Sequence, residues 1–347
     1  MRTSRRPSGE ARGNARLVDV ARRAGVSTAS VSRALNSPQK VSPDLRARIQ
    51  DALNKLRYVP NGAARALASR RSHTIGAVVP TLSNSIFGTG VAALQQRLEE
   101  YGYTLLVANS RYDVGIETRQ IRALVERGVD GLVLVGQRHR RDTYELMRKF
   151  RVPYVNTYMA SKGSQHPCVG FDQRAAAARL AEYLIEMGHR RIALITYPFT
   201  NNDRIGVRVR GMRDAIARHG LVLPADAVVE APYTLPDGRA ALRRLLKVDP
   251  SITAVMCTTD LHATGALVEA HAQGMAVPGR LSITGFDDLD ASLHQDPPLT
   301  TVHIPAQEMG TRAADYLVAR LRGQIVPRVM LMEAKLVIRG STGPAPH

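Results

Sequence analysis

Near the front of the chain, Val20, Ala21, Ala24, Val31 and Leu35 recur at helical spacing, and Gly25-Val26-Ser27 interrupts the run. Gly25 suits the left-handed residue that ends a helix, and Ser27 suits the N-cap of the next one. Two short helices joined by three residues with a glycine describe a helix-turn-helix. The second helix carries Thr28, Ala29 and Arg33 on its start and outward face, where a DNA reader puts base-contacting side chains. Ser42-Pro43-Asp44 then offers an N-cap, a first-turn proline and an early acid, and Leu45, Ile49, Leu53 and Leu56 stripe a third helix. Asn61 can cap a short alanine-rich helix running to Ser69. Its length is marginal for an isolated helix, so it is expected to order only on a partner.

From Thr74 the rhythm changes. Apolar runs at Ile75–Val79, Tyr103–Ala108, Asp130–Val135 and Pro153–Val155 read as strands. Between them lie amphipathic stretches at Val91–Leu98, Glu117–Arg127 and Tyr144–Phe150. The pattern then restarts, with helices at Arg174–Met187, Val207–His219, Arg239–Leu246 and Ala263–Gln273. Strands are expected at Arg191–Ile195, Val228–Glu230, Ala254–Cys257 and Leu281–Thr284. Buried strands alternating with helices mean parallel sheets covered on both faces, here in two similar α/β lobes. After Pro297-Pro298 come Thr300-Thr301-Val302, a helix at Ala306–Arg322 and a strand near Glu333–Ile338, read as late segments that complete each lobe.

Charge sharpens this division. The net charge is +18, and residues 1–73 hold 16 Lys/Arg against 4 Asp/Glu while the rest holds 32 against 26. An excess gathered in about a fifth of the chain fits an appended module for a polyanion. Residues 1–15 lack periodicity and read as a basic tail. Nothing like a signal core follows them, no run approaches a membrane span, and the two cysteines have no paired spacing, so a cytoplasmic protein is expected.

Leu17-Val18-Asp19-Val20-Ala21, Ala24-Gly25-Val26-Ser27, Val31-Ser32-Arg33-Ala34-Leu35-Asn36 and Tyr58-Val59-Pro60-Asn61 together resemble the LacI/GalR family of bacterial repressors. The resemblance continues in register to about residue 340, through Thr74–Pro80, Val169-Gly170-Phe171-Asp172, Gly188–Ala193 and Thr284–Asp288. It implies an N-terminal all-α helix-turn-helix headpiece and an α/β core of two Rossmann-like lobes with parallel sheets, similar to periplasmic binding proteins. The expected divisions are a tail at 1–15, a DNA-binding domain at 16–59 and a hinge at 60–73. One lobe would comprise 74–172 with 301–331, the other 173–300 with 332–340, and 341–347 would be a tail.

The resemblance also implies a homodimer reading a palindromic operator in double-stranded DNA. Thr28, Ala29 and Arg33 match base-contacting positions, and Arg33 could pair bidentately with guanine. Ser27, Ser30 and Ser32 would hold phosphates, which fix register without carrying sequence information. Asn61 and Arg65 fall in the matching hinge helix, where Leu67 stands at the position that wedges into the minor groove. Positions lining the effector cleft map to Phe87, Val135, Tyr158, Arg208, Tyr233, Thr259 and Asp287. Arg208 can fork onto hydroxyls or a carboxylate, Asp287 can accept from hydroxyls, and Tyr233 or Phe87 can stack on a ring face. Tyr158 stands where several members have aspartate, and Thr259 where asparagine is frequent, which speaks against a standard hexose and leaves a sugar acid or another small polar metabolite open.

Two other patterns carry less weight. Gly88-Thr89-Gly90-Val91-Ala92-Ala93 fits a dinucleotide fingerprint, but eight residues separate it from Val79, where the fingerprint would follow the strand directly. Asp287, Asp288 and Asp290 lie close together without a His or Cys set to complete a metal shell. No P-loop, zinc pattern or nucleophile elbow occurs, so neither cofactor, metal nor catalysis is expected. A solute-binding protein or an enzyme of sugar metabolism built on the same lobes is the competing reading.

Overall fold

The computed structural model describes residues 15–36, 38–59 and 71–346. The basic tail up to residue 14 and the hinge residues Asn61, Arg65 and Leu67 lie outside the described residues. The chain divides into two units at Ser72/His73, and each is described separately.

The first unit is a three-helix domain: α1 (Leu17–Ala24), α2 (Thr28–Asn36) and α3 (Pro43–Leu56). Val20, Ala21, Ala24, Val31, Ala34, Ile49, Ala52 and Leu53 bury one core between them. Gly25 ends α1 at φ +64, and the Arg48 guanidinium donates to the Ala24 carbonyl at 2.6 Å, satisfying an acceptor that the helix leaves open. Ser27 does cap α2, accepting from the Ser30 amide at 3.1 Å. Ser42 occupies the N-cap of α3 but makes no side-chain capping bond, so Pro43 at the first helical turn and Asp44 mark that start instead. The helix ends on Arg57 in the left-handed region (φ 48), and the Tyr58 amide reaches the Leu53 carbonyl.

The second unit holds two parallel sheets. In the first, β2 (Thr104–Asn109), β1 (Thr74–Val79), β3 (Gly131–Val135), β4 (Tyr154–Thr157), β5 (Cys168–Phe171) and β11 (Val329–Met332) lie side by side in that order. In the second the order is β7 (Val228–Glu230), β6 (Ile192–Thr196), β8 (Ala254–Cys257) and β9 (Ser282–Thr284). Every pairing within these sheets is parallel. Each sheet is wound outward from its first strand in both directions. The strand order therefore reverses beside β1 in one and beside β6 in the other, and the carboxyl ends at such a reversal form a crevice.

The chain passes between the sheets three times. It leaves the first after β5, returns after β10 (Thr301–His303) by the helix Ala306–Leu321, and leaves again from β11 to β12 (Lys335–Val337). β12 pairs antiparallel with β10. Sequence periodicity placed the last strand correctly but passed over β5 and β11, because four residues interrupted by glycine or half-exposed at an edge give too short a pattern. It also started the helices Asp203–Arg218, Leu235–Val248 and Asp260–Ala272 several residues late. Their first turns are polar and are fixed by Asn202, Thr234 and Thr259, each of which accepts a backbone N–H three residues on.

The helix Ala306–Leu321 packs closely on Ser85–Glu100, with Gly310 directly over Gly90: a Cβ at Gly310 would stand 2.2 Å from the Gly90 carbonyl oxygen. Gly88 and Gly90 are thus helical residues, not members of a phosphate-cradling turn. Gly88, in contrast, meets nothing within 4 Å. Urea unfolding should therefore separate two changes. Gly310→Ala is expected to destabilise this unit by about 1–3 kcal/mol through overpacking. Gly88→Ala is expected to stabilise it by about 0.5–1 kcal/mol through helix propensity alone.

Candidate DNA-reading surface and ligand cleft

On α2, burial separates core from surface residue by residue. Val31 and Ala34 turn inward, while Ser27, Thr28, Ala29 and Arg33 are exposed and Ser30 and Ser32 half-buried. Arg33 presents a planar donor fork and Ala29 a methyl, on a helix whose entry is pinned by Ser27. The Ser27 hydroxyl also meets that of Ser30 at 3.0 Å, so its first duty is the helix start.

In the second unit, the carboxyl ends of the strands deliver a cluster of side chains to one crevice. Phe87 comes from the helix after β1, Tyr158 follows β4, and Tyr197 follows β6. Tyr233 lies beyond β7, Thr259 beyond β8, and Asp287 beyond β9. A small inner cavity of about 30 Å³ is lined by Phe87, Tyr158, Arg208, Tyr233, Thr259 and Asp287, which are six of the seven positions expected from the sequence. Val135 is not among them. It lines an adjoining outer compartment of about 280 Å³, which shares Tyr112 and Arg204 with the inner one.

The inner cavity is organised around Arg208. This arginine is buried, with Nε donating to the Gln173 side-chain oxygen at 2.6 Å and Nη1 to the Thr258 carbonyl at 2.8 Å. Nη1 also lies 3.7 Å from the Asp287 carboxylate, and the guanidinium stacks 3.9 Å above the Phe286 ring. Burial outweighs the attraction of Asp287 and brings the Arg208 pKa down to about 10. Burial likewise holds the Asp287 carboxyl well above its ordinary value, with Arg208 offsetting only part. Both shifts have one cause, the withdrawal of a charge pair from water. Two nitrogens of the guanidinium, Nε and Nη1, are thus engaged by the protein. Asp287 Oδ2, in contrast, is buried with no hydrogen-bond partner among the described residues, an acceptor facing a cavity.

Tyr158 takes up much of the room. Its hydroxyl donates to the Ile86 carbonyl at 2.8 Å, its ring meets Phe87 edge-on at 5.0 Å, and its backbone is left-handed at φ 65. The ring is accommodated because residue 90 is glycine: a Cβ there would sit 2.3 Å from the Tyr158 hydroxyl. Gln173 locks this arrangement, donating to the Tyr158 carbonyl at 2.6 Å while accepting from Arg208. Asp287 is held through its backbone, with N–H to the Val302 carbonyl at 3.0 Å. The following loop is anchored by buried Asp260, which accepts from Leu289 N–H, the Ser292 hydroxyl and the Thr301 hydroxyl.

A second polar contact spans the crevice. Asp203, the first residue of its helix, accepts from the Gln137 and Arg138 amides at 2.7 and 2.9 Å. Arg204 Nη1 meets the Asp203 carboxylate at 3.1 Å and the Val135 carbonyl at 3.3 Å. Burial pushes the Asp203 carboxyl up, but Arg204, the two amides and His139 outweigh it and leave the pKa below the ordinary value. Gly136 (φ +92) permits the turn, since a Cβ there would lie 2.7 Å from this carboxylate.

Sequence reasoning missed Gln173, Asp203, Arg204, Tyr112, Tyr197 and Asn202. Only Arg204 carried a usable signal, one helical turn before Arg208 on the same face. The others sit in cap turns or after strand ends, where no period marks them.

Residues 16–61 match the family model described as bacterial regulatory proteins of the lacI family, and residues 72–339 match that of periplasmic binding proteins and the sugar binding domain of the LacI family. The transcriptional repressor CytR of Escherichia coli K12 is 33% identical over 333 residues, which cover 96% of this chain and 97% of that protein. The transcriptional regulator GntR of Pseudomonas aeruginosa is 34% identical over 332 residues, covering 95% of this chain and 96% of the relative. Among solved structures, the lac repressor dimer bound to operator and the anti-inducer ONPF superposes with a TM-score of 0.86 at 26% identity, covering 95% of this chain and all of that one. The relatives are transcription regulators, not enzymes. No helix among the described residues is long and apolar enough to cross a membrane. The chain belongs to the LacI family of bacterial regulatory proteins and is a DNA-binding transcription regulator under the control of a small-molecule effector.

Proposed function

We propose that the protein is a cytoplasmic, nucleoid-associated repressor that binds a near-palindromic operator as a homodimer, without catalytic turnover. Its effector, a sugar or sugar acid, occupies the crevice at the carboxyl ends of the two sheets. The observation that supports this reading best is the convergence of Phe87, Tyr158, Arg208, Tyr233, Thr259 and Asp287, from separate segments, on one cavity. A buried, unpartnered carboxylate oxygen beside aromatic walls suits a ligand that presents a hydroxyl to this part of the crevice. The sugar-binding description of the family model points the same way.

On DNA, Arg33 reads a guanine edge, Thr28 and Ala29 contact neighbouring bases, and Ser27, Ser30 and Ser32 hold phosphates. Asn61 and Arg65 approach the backbone from the hinge, and Leu67 wedges into the minor groove. The effector changes how the two sheets of each core are held across the crevice, and this alters the hinge. Coupling of this kind is reciprocal: an effector that weakens operator binding is itself bound more weakly by the operator complex.

Two substitutions test the two halves separately. Arg33→Ala should lose about 1–3 kcal/mol of discrimination at one base pair per half-site. Fluorescence anisotropy on an operator and its point variants reads this directly, and unchanged discrimination would exclude the base contact. Tyr233→Ala should weaken the effector by about tenfold, a loss of roughly 1.4 kcal/mol, and leave effector-free operator affinity unchanged. Calorimetric titration with the effector, beside a gel shift without it, provides the check.

A further inference from the structure

The two compartments of the crevice differ in what they can hold. The inner one, at about 30 Å³, is closed down by the Tyr158 ring and takes in little more than one water or hydroxyl. The volume lies in the outer compartment, about 280 Å³, between Tyr112, Val135, Arg138, Asn201 and Arg204. Charge divides them as well. In the inner compartment an incoming anion would face the buried, unpartnered Oδ2 of Asp287, with Nε and Nη1 of Arg208 already engaged by Gln173 and Thr258 and Nη1 close to Asp287 itself.

In the outer compartment every carboxylate on the wall is engaged by a donor of the protein. Asp113 accepts from the Ile116 amide at 2.6 Å, Glu117 pairs with His139 at 2.7 Å, and Asp203 is held by two amides and Arg204. Of the arginines there, Arg140 pairs with Asp142 and Arg204 with Asp203. Arg138 has no ion-pair partner among the described residues, and it is placed at the mouth by the Asp203 bond to its own amide. A guanidinium with no ion-pair partner among the described residues, beside a partly polar volume, suits an anion.

We propose that the effector is an anionic polyol, a sugar acid or sugar phosphate, that lies in the outer compartment with its carboxylate or phosphate on Arg138. One hydroxyl reaches past Tyr112 toward Asp287. This rests on the crevice being the effector site, and it places the charged end away from Arg208, which the sequence offered for hydroxyls or a carboxylate.

The test is calorimetric titration of the full-length protein with pentoses and hexoses, each as neutral sugar, sugar acid and sugar phosphate; glucose, glucuronate and glucose 6-phosphate make one such set. At least one charged member should bind about tenfold or more tighter than its neutral parent. Arg138→Ala should abolish that advantage without changing affinity for the neutral sugar. The proposal is overturned if neutral sugars bind as tightly as their charged forms, if the advantage survives Arg138→Ala, or if no charged member binds. Operator binding, measured on the same preparations, reports separately on whether the protein acts as a DNA-binding regulator.

Discussion

A guanidinium withdrawn from water must be compensated from every side, and in this protein that requirement falls on Arg208. Its partners come from distant parts of the chain: Gln173 from the segment leaving the first sheet, Thr258 from the end of β8, and Asp287 from the loop that leads back. Gln173 in turn holds the Tyr158 carbonyl, so a single charge ties the wall of the crevice on one sheet to the floor on the other. Breaking such a buried pair by removing one partner typically costs about 3–5 kcal/mol, because the remaining charge is left uncompensated. Arg208 is therefore first a structural member of the site.

Much of the architecture could be read directly from the order of residues. The glycine-and-serine break at Gly25–Ser27 located the helix-turn-helix, and alternation of apolar strands with amphipathic helices revealed two wound sheets. Both signals are periodic and local, and they survive without any tertiary information. The elements that escaped, β5 and β11, are four residues long and depend on their neighbours for burial. The same limit governs the site. Tyr158, Tyr233, Thr259 and Asp287 were placed by resemblance to a family, since nothing in their immediate surroundings sets them apart from turn residues. Asp203 and Gln173 look in the sequence like ordinary first-turn polar residues, and only the fold shows that their helices begin at the edge of a crevice.

Resemblance also had a limit of its own. It put Arg208 at the cleft as a ligand contact, and two of its nitrogens, Nε and Nη1, are also bonded to the protein. It set Val135 along the cleft with the other six positions, and the strand end carries it to the outer compartment. Family position reports where a residue sits along a strand. The neighbours that decide its chemistry, such as the Tyr158 ring over Gly90, become visible only in the fold.

The winding of the second unit has a consequence for synthesis. The headpiece core needs nothing beyond Leu53 and its immediate neighbours, so it can form while most of the chain is still unmade. The first sheet cannot be finished until residues 329–332 emerge, because β11 supplies its last strand beside β5. During translation, then, a complete DNA-reading domain precedes a sheet with one open edge by some 270 residues of chain, roughly 15–50 seconds at ordinary elongation rates. Through that interval the nascent protein holds its DNA-reading domain before the first sheet of its second unit is complete, and β5 lacks the neighbour that β11 later supplies.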